Sequence, residues 1–432
     1  MRKSLIAYNL ALGLAGTALP GLWLGSRLAR RWGELWPRLG LYRDQRPAGK
    51  GPRVWLQAVS VGEVAVAQAV ADELWARRPE IELSVSSSTA KGLERAAELF
   101  AGRARVLPFP LEAPWAVAGA WQRVQPQVYA SLETELWPNF LAWLDNRGCE
   151  LLLLNGRISP RSFPRYMKAR TLVAGCLERF ALLSMIGPED AQRAKTLGAP
   201  PERVRVEGNA KYAGLAQRVA ALDPEPLAGR LALAGAPLLV AGSVRSGEEQ
   251  AVLGAFKRVL AQHPDAVLAV APRHVEKAPR WLAASRGLGL SAQAWSDLGP
   301  AQPRRAETKV VVVDAMGQLL TLYGLATAAF VGASLAPLGG QNPMEPAAWG
   351  VPVAYGPDMA DFLDAAQTLE RAGASRKISN AEELAAWWSA LLAEPERADA
   401  MGRAARLVVE GWSGAARAAA GHILDALAKR GA

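Results

Sequence analysis

The stretch VWLQAVSVGEVAVAQAVADELWAR, residues 54–77, decides the fold. Residues 54–59 form a short apolar run typical of a buried strand, whereas residues 64–77 have the apolar spacing of a helix. The segment between them, residues 60–63, leads directly from one to the other. A strand followed at once by a helix is typical of a parallel sheet whose faces are covered by helices.

Strand-like and helix-like segments continue to alternate outward from this stretch. Further strands are predicted at residues 81–86, 127–130, 150–155, 181–186 and 204–207. The alternation stops at residues 214–237, where Pro, Gly and Ala are frequent, and this marks an interdomain connection. It resumes with predicted strands at residues 238–242, 266–271, 310–313, 328–331 and 351–355. The pattern therefore predicts an α/β protein with two Rossmann-like domains that face a cleft.

The composition restricts the chemistry. The 432 residues include two cysteines, Cys149 and Cys176, and three scattered histidines, His263, His274 and His422. Their spacing matches neither a disulfide framework nor a metal site, so we expect no metal and a carboxylate as any general base. The net charge of +10 implies an anionic partner, either nucleic acid, phospholipid or a phosphorylated substrate. No aromatic-interleaved basic motif is present, which disfavours nucleic acid.

The N-terminal segment is predicted to be a membrane anchor at residues 1–31. Residues 5–24 are almost entirely apolar, which is about the length that spans a bilayer, and Arg27, Arg30 and Arg31 follow. By the positive-inside rule the rest of the chain lies in the cytoplasm. A cleaved signal peptide and a buried helix are the alternatives. The remaining predicted boundaries are 32–220 for the first domain and 221–432 for the second.

Three places after predicted strands hold candidate site residues. Glu63 begins a helix, where a carboxylate either caps the helix or serves as a general base. In the second half, GGQNPMEP at residues 339–346 joins glycines to a helix start, a combination that favours phosphate binding. There Glu345 could accept hydrogen bonds from a ribose, and Arg273 after another strand would suit a phosphate. The alternatives are a capped helix after a plain loop, and a solvated surface charge.

Nine motifs in order make the sequence specific enough to compare with a family. They are VSVGEV at 59–64, STAKG at 88–92, ETELWPN at 133–139, NGRISPRS at 155–162, EGNAK at 207–211, GSVRSGEE at 242–249, APRH at 271–274, DAMGQL at 314–319 and GGQNPMEPA at 339–347. With these motifs the chain resembles the 3-deoxy-D-manno-octulosonic acid (Kdo) transferases of lipopolysaccharide synthesis, from the apolar N-terminus to nearly the end.

The resemblance implies a GT-B glycosyltransferase fold and an inverting, metal-independent transfer from CMP-Kdo to lipid IVA. It implies no cofactor, since CMP-Kdo is a substrate, and a site at the cytoplasmic face of the inner membrane, in contact with phospholipid. It makes Glu63 the general base, and Glu133 and Lys211 the groups that stabilise the transition state. The residues that it assigns to the CMP site are Pro272, Arg273, Met316, Gly317, Gln318, Asn342, Pro343, Met344 and Glu345.

Four positions depart from the family pattern. Gln57, Arg245 and Gln341 stand where His is expected, and Gln318 stands where Glu is expected. Replacing His or Glu by Gln removes a titratable group but keeps hydrogen-bonding capacity, so the exact donor and acceptor stay open. The alternatives are a related GT-B transferase with a UDP-sugar donor or another lipid acceptor, and a catalytically silent paralogue that binds lipid or nucleotide. A nicotinamide-dependent dehydrogenase is disfavoured, because no G-x-G-x-x-G follows a predicted strand.

Overall fold

The computed structural model describes residues 5, 6, 8–10, 12, 13, 37–42 and 51–431. The chain divides into two compact units. Unit 1 comprises Met1–Ala213 together with Gly414–Ala432, and unit 2 comprises Gly214–Ser413. Both are α/β units with parallel sheets, as the alternation of strands and helices predicted.

Within its described residues, unit 1 has a seven-stranded parallel sheet in the order β3-β2-β1-β4-β5-β6-β7. The strands are β1 Arg53–Gln57, β2 Glu82–Ser87, β3 Arg105–Pro108, β4 Val128–Leu132, β5 Glu150–Gly156, β6 Leu182–Met185 and β7 Val204–Val206. The chain moves outward from β1 to β3 and then returns to place β4 beside β1. The strand order therefore reverses between β1 and β4, and ligands of open α/β sheets bind where such a reversal occurs.

Helices connect these parallel strands. They are α1 Val61–Arg77, α2 Ala90–Leu99, α3 Pro114–Val124, α4 Pro138–Asp145, α5 Phe163–Lys168, α6 Arg170–Leu177 and α7 Pro188–Leu197. The long helix α1 forms because Val64, Ala67, Val70, Ala71 and Leu74 recur on one face, and all five are fully buried. That face packs on β1, β2 and β4 in one of the cores of the unit.

The described part of unit 2 also has a seven-stranded parallel sheet, in the order β10-β11-β9-β8-β12-β13-β14. The strands are β8 Leu238–Val244, β9 Val267–Pro272, β10 Ala292–Ala294, β11 Val310–Val312, β12 Ala326–Val331, β13 Val353–Tyr355 and β14 Ser375–Lys377. Here the order reverses between β8 and β12. The helices are α8 Leu215–Ala220, α9 Glu225–Leu231, α10 Glu249–Leu260, α11 Ala278–Gly287, α12 Leu319–Leu322, α13 Met344–Ala348, α14 Leu363–Arg371, α15 Ala381–Ala393 and α16 Pro395–Ser413.

The helix α17, Ala415–Gly431, corrects the predicted domain boundaries. We expected one continuous second domain at residues 221–432, but α17 belongs to unit 1. Its Ala416, Ala420, Ile423 and Leu427 are buried in the same core as α1. The physical reason is that α17 needs an apolar partner for this face, and the sheet of unit 1 with α1 supplies it.

The predicted membrane anchor, residues 1–31, lies largely outside the described residues. Two of its described side chains contact later residues of unit 1. Asn9 Oδ1 accepts a hydrogen bond from Asn139 Nδ2 at 2.7 Å, and the Tyr8 side chain is hydrogen-bonded to Glu112. Among the residues that are described, no helix is long and apolar enough to span a bilayer.

Candidate active site

Glu63 lies in the first turn of α1, directly after β1, and only 7% of it is exposed. Its Oε2 accepts the backbone N–H of Val59 at 2.6 Å, and its Oε1 accepts the Ser60 hydroxyl at 2.9 Å. Ser60 caps the helix in return, because the Glu63 N–H points to Ser60 Oγ at 3.4 Å. The structure thus contains the helix cap that the sequence offered as the alternative role. The same contacts fix the carboxylate in one orientation.

The pKa of Glu63 is raised from 4.5 to about 7. Burial is the largest cause, because removing the carboxylate from water disfavours its charged form. The negative charge of Glu133 raises the pKa further, whereas the hydrogen bonds from Val59 and Ser60 lower it. A group with a pKa near neutrality can take up and release a proton at physiological pH, which is the property of a general base.

Glu133 follows β4, the strand beside β1, so both carboxylates lie at the carboxyl edge of the sheet. Its backbone is left-handed, with φ of 67°, an uncommon conformation for a residue with a side chain. The Glu133 N–H donates to Leu154 O at 3.1 Å, and Ser131 Oγ donates to Glu133 O at 3.2 Å. These bonds hold Glu133 in an uncommon backbone conformation at the carboxyl edge of the sheet, and such conformations are frequent in active sites.

Lys211 lies in the 3-10 turn Ala210–Tyr212, which is tied to the carboxyl end of β5. Asn155 at that end also has a left-handed backbone, with φ of 55°, and its Oδ1 accepts the Ala210 N–H at 2.8 Å. Asn209 caps the turn by accepting the Lys211 N–H at 3.0 Å. The turn packs against α1. The sheet edge and α1 therefore bring Lys211 to the same side of unit 1 as Glu63.

A network that the sequence analysis did not predict surrounds Glu135. Its Oε2 accepts hydrogen bonds from Gln57 Nε2 at 3.2 Å, Trp137 Nε1 at 3.0 Å and Ser88 Oγ at 3.4 Å. The negative charge of Glu135 also contributes to the raised pKa of Glu63. Gln57, one of the departures from the family pattern, is fully buried and holds the Glu135 carboxylate by donating a hydrogen bond to it. The ETELWPN motif contains this residue, but its role depends on partners from three separate segments.

In unit 2, Glu345 lies in the first turn of α13 after the glycine-rich segment. Burial raises its pKa, whereas a hydrogen bond from Asn342 Nδ2 to Glu345 Oε1, at 3.2 Å, and the charges of Arg218 and Arg273 lower it. Asn342 also accepts the Met344 N–H at 3.1 Å, so its side chain fixes the turn. The structure thus brings the predicted Glu345, Asn342 and Arg273 together. It adds Arg218, which no sequence motif indicated.

The ends of β8 and β9 meet beside this group. The Arg273 N–H donates to Val244 O at 2.9 Å, which joins the loop after β9 to the end of β8. Tyr323 approaches the backbone at Gly242 so closely that a Cβ there would lie 1.9 Å from its hydroxyl oxygen. Burial, and then the charge of Glu345, raises the pKa of Tyr323. Only glycine fits at position 242.

The other predicted nucleotide residues differ in exposure. Met316 is 73% exposed, and Gly317 beside it has φ of +83°, so the loop before α12 presents its backbone. Gln318 is the first flanking residue of α12, and Pro272 ends β9. Pro343 and Met344 are buried, and the Met344 side chain is fully enclosed. The side chain of Met344 therefore belongs to the core of unit 2.

No group of three or more His, Cys, Asp or Glu in the part of the chain that the structure describes could hold a metal ion. The positively charged groups near these carboxylates are side chains, namely Lys211 in unit 1 and Arg218 and Arg273 in unit 2. Unit 1 holds a buried carboxylate with a pKa of about 7 on the same side of the sheet as Lys211. Unit 2 holds a partly buried carboxylate on whose pKa the charges of two arginines have a lowering effect, and arginine side chains are well suited to bind phosphate.

Comparisons with known proteins show which family the chain resembles. Residues 33–214 match the family described as 3-deoxy-D-manno-octulosonic-acid transferase (kdotransferase). The chain is 32% identical over 439 residues to a 3-deoxy-D-manno-octulosonic acid transferase of Bordetella pertussis, and the match covers 97% of this chain and 98% of that protein.

Two further similarities are partial or distant. A bifunctional glycosyltransferase/methyltransferase of Fusobacterium nucleatum is 29% identical over 76% of this chain, which spans only 51% of that protein. A solved glycosyltransferase from Rickettsia africae is 14% identical, with a TM-score of 0.54 over 88% of this chain and 99% of that chain. The structural match shows a shared fold alone. The Bordetella relative, similar along almost the whole of both chains, shows that this chain belongs to the Kdo transferase family of glycosyltransferases.

Proposed function

We propose that this glycosyltransferase moves Kdo from CMP-Kdo to lipid IVA, with inversion at the anomeric carbon and without a metal ion. The observation that carries the proposal is Glu63, a buried carboxylate with a pKa of about 7 at the point where the strand order of unit 1 reverses. The family of the chain supports Kdo as the transferred sugar. The carboxylate and arginines of unit 2 support a nucleotide donor.

In the proposed reaction an acceptor hydroxyl oxygen attacks the anomeric carbon of Kdo. The bond from that carbon to the phosphate oxygen breaks, and CMP leaves with the electron pair. Glu63 takes the proton of the attacking hydroxyl, for which its raised pKa is suited. Glu133 supports the electron-poor sugar, and Lys211 offsets the negative charge that grows on the leaving phosphate.

The donor nucleotide is assigned to unit 2. Glu345 accepts hydrogen bonds from the ribose hydroxyls, and Asn342 keeps its carboxylate in place by donating at 3.2 Å. Arg273 binds the phosphate of the donor. Its positive charge lowers the pKa of Glu345, so Arg273 lies near the proposed ribose-binding carboxylate. The backbone of Met316, Gly317 and Gln318, in the loop between β11 and α12, contacts the nucleotide.

A lipid acceptor requires that the protein works at a membrane surface. We propose that the apolar residues 5–24 and the arginines after them hold the protein at the inner membrane, with the catalytic units on the cytoplasmic face. The sequence supports this location through its apolar length and its basic flank. Contact with phospholipid also agrees with the net charge of +10.

The test is a transfer assay with the purified full-length protein in detergent, supplied with lipid IVA and with CMP-Kdo generated in place. Mass spectrometry should detect lipid IVA carrying one or more added Kdo groups. A parallel reaction with a UDP-linked sugar and the same acceptor should give no product. Product from the UDP-sugar alone would assign the protein to a different donor, and no product from either would contradict the proposed activity.

A further inference from the structure

A buried carboxylate at the strand-order reversal of unit 2 has no role in the reaction described above. Glu248 directly precedes α10 and is 1% exposed. Its Oε2 accepts the N–H of Arg245 at 2.8 Å and that of Ala333 at 2.8 Å. Its Oε1 accepts the N–H of Ser334 at 3.1 Å and that of Leu335 at 3.2 Å. One side chain therefore receives four backbone donors.

These four donors come from two loops. Arg245 belongs to the loop after β8, whereas residues 333–335 belong to the loop after β12, the strand that pairs with β8. Three successive N–H groups that converge on one point form a nest of the kind that binds anions. Ala333 makes the nest possible with a left-handed backbone, φ of 57°. The carboxylate of Glu248 occupies this nest.

A chain of hydrogen bonds leads from the nest towards Asn342 and Glu345, two of the residues proposed to bind the nucleotide. Ala333, whose N–H donates to Glu248, accepts at its carbonyl oxygen the N–H of Gly340 at 2.8 Å. Gly340 immediately precedes Gln341 and Asn342, and Asn342 donates to Glu345. The path from Glu248 to the proposed ribose-binding carboxylate therefore consists of backbone bonds and one short loop.

The loop after β12 packs closely against the end of β8 beside the Glu248 carboxylate. A Cβ on Gly332 would lie 2.8 Å from Glu248 Oε2 and 2.4 Å from Val244 Cα, so the loop after β12 runs directly against β8. Without the carboxylate the four N–H groups, two of them buried and two partly buried, would each lose a hydrogen bond, and the loop would move to find new partners.

We infer that Glu248 is a positioning residue for the donor nucleotide: it holds the loop after β12 so that Asn342 and Glu345 face the ribose. The inference rests on the proposed function of unit 2 as the CMP site. Glu248 itself does not touch the nucleotide in this arrangement. It acts through the peptide of Ala333 and the turn at Gly340.

The matched control is Glu249, the next residue. It is 5% exposed, accepts the Gly247 N–H at 2.6 Å and pairs with Arg280 at 2.6 Å. It thus resembles Glu248 in charge, burial and place at the start of α10. Its partners Gly247 and Arg280 lie outside residues 333–335. The substitution Glu249→Gln therefore tests the loss of a buried carboxylate without the loss of the nest.

The experiment compares Glu248→Gln with Glu249→Gln in the full-length protein. Calorimetry measures the Kd of CMP, steady-state assays measure KM and kcat for the donor, and hydrogen exchange measures the protection of residues 332–345. Glu248→Gln should raise the Kd and the donor KM about ten-fold or more, with a smaller change in kcat and faster exchange in that segment. Glu249→Gln should leave the donor KM and the exchange of residues 332–345 close to wild type.

Equal CMP affinity and equal exchange in a folded Glu248→Gln protein would overturn the inference. Should Glu248→Gln fail to fold, Glu248→Asp serves instead, since it keeps the charge and withdraws it from the nest. Unchanged CMP affinity in that variant would also overturn it. A wild-type protein that does not bind CMP would contradict the proposed donor, whereas the exchange experiment without nucleotide still tests whether Glu248 holds the loop.

Discussion

Ser60 and Glu63 are joined in both directions: the Ser60 hydroxyl donates to Glu63 Oε1 at 2.9 Å, and the Glu63 N–H points to Ser60 Oγ at 3.4 Å. This reciprocal arrangement is a variant of the capping box that stabilises a helix start, because the carboxylate accepts the Val59 N–H and the Ser60 hydroxyl. It gives Glu63 a structural role alongside the proposed catalytic one. The two roles predict different consequences for two single substitutions.

Substitution of the carboxylate should abolish transfer. Glu63→Gln keeps the shape of the side chain but cannot accept a proton, so we expect kcat to fall about 100- to 10,000-fold with normal CMP binding. Ser60→Ala is the control, since it removes the cap and keeps the carboxylate. It should cost about 1 kcal/mol of stability and leave most of the transfer rate. Similar small losses in both variants would return Glu63 to a purely structural role.

The rate of transfer should depend on pH through Glu63. Its pKa is about 7, and only the ionised form accepts a proton, so kcat/KM should increase as pH rises and level off above pH 7. Glu133 is one cause of the raised pKa. Glu133→Gln should therefore move the midpoint of this increase to lower pH, whatever its effect on the maximum rate. A pH profile of each protein measures the midpoints, and an unmoved midpoint would mean that Glu133 does not act on Glu63.

Nucleotide binding should depend on Glu345. Glu345→Ala removes the proposed acceptor of the ribose hydroxyls, whose hydrogen bonds are each worth about 1.5 to 3 kcal/mol. Calorimetry with CMP should show a clear loss of affinity. Glu276→Ala is a suitable control, because Glu276 lies close to Arg273 in sequence and has a side chain that is 65% exposed. If only the control lost CMP affinity, or if neither variant did, the assignment of Glu345 to the nucleotide site would be wrong.

The helix α17 should contribute to the stability of unit 1. Ile423 is fully buried in the core that α17 shares with α1, so Ile423→Ala should cost about 2 to 5 kcal/mol. Leu407→Ala, at a residue of α16 that is 67% exposed, should have little effect. Urea unfolding followed by tryptophan fluorescence measures both. Equal stability of the two variants would show that α17 does not support the core.

The sequence predicted the inner strands of both sheets but not all of their edges. The three strands that were missed, β3, β10 and β14, each lie at the edge of a sheet. Edge strands have one neighbour and are partly exposed, so they lack the continuous apolar run that identifies a central parallel strand. In β14, residues Arg376 and Lys377 are exposed, and its composition alone does not distinguish it from a loop.

The candidate site was predicted where one segment contains the chemistry and missed where several segments combine. Glu63 and Glu345 each stand out locally as carboxylates at helix starts after strands. The partners of Glu135, by contrast, come from β1, the loop after β2 and the loop after β4. Arg218 likewise gains meaning only through its charge near Glu345. Such groups become visible only when the fold brings distant residues together.

The return of α17 to unit 1 has a consequence for the order in which the protein is made. A ribosome completes residues 1–213 first, yet the core that contains Val70 and Leu74 also requires Ile423 and Leu427. Unit 2, continuous from residue 214 to 413, is synthesised in full before those residues emerge. Domains usually fold in the order of synthesis, but here the earlier half must wait with an incomplete core while the later half finishes. During that interval the core shared by α1 and the sheet lacks the side chains that α17 supplies in the finished unit.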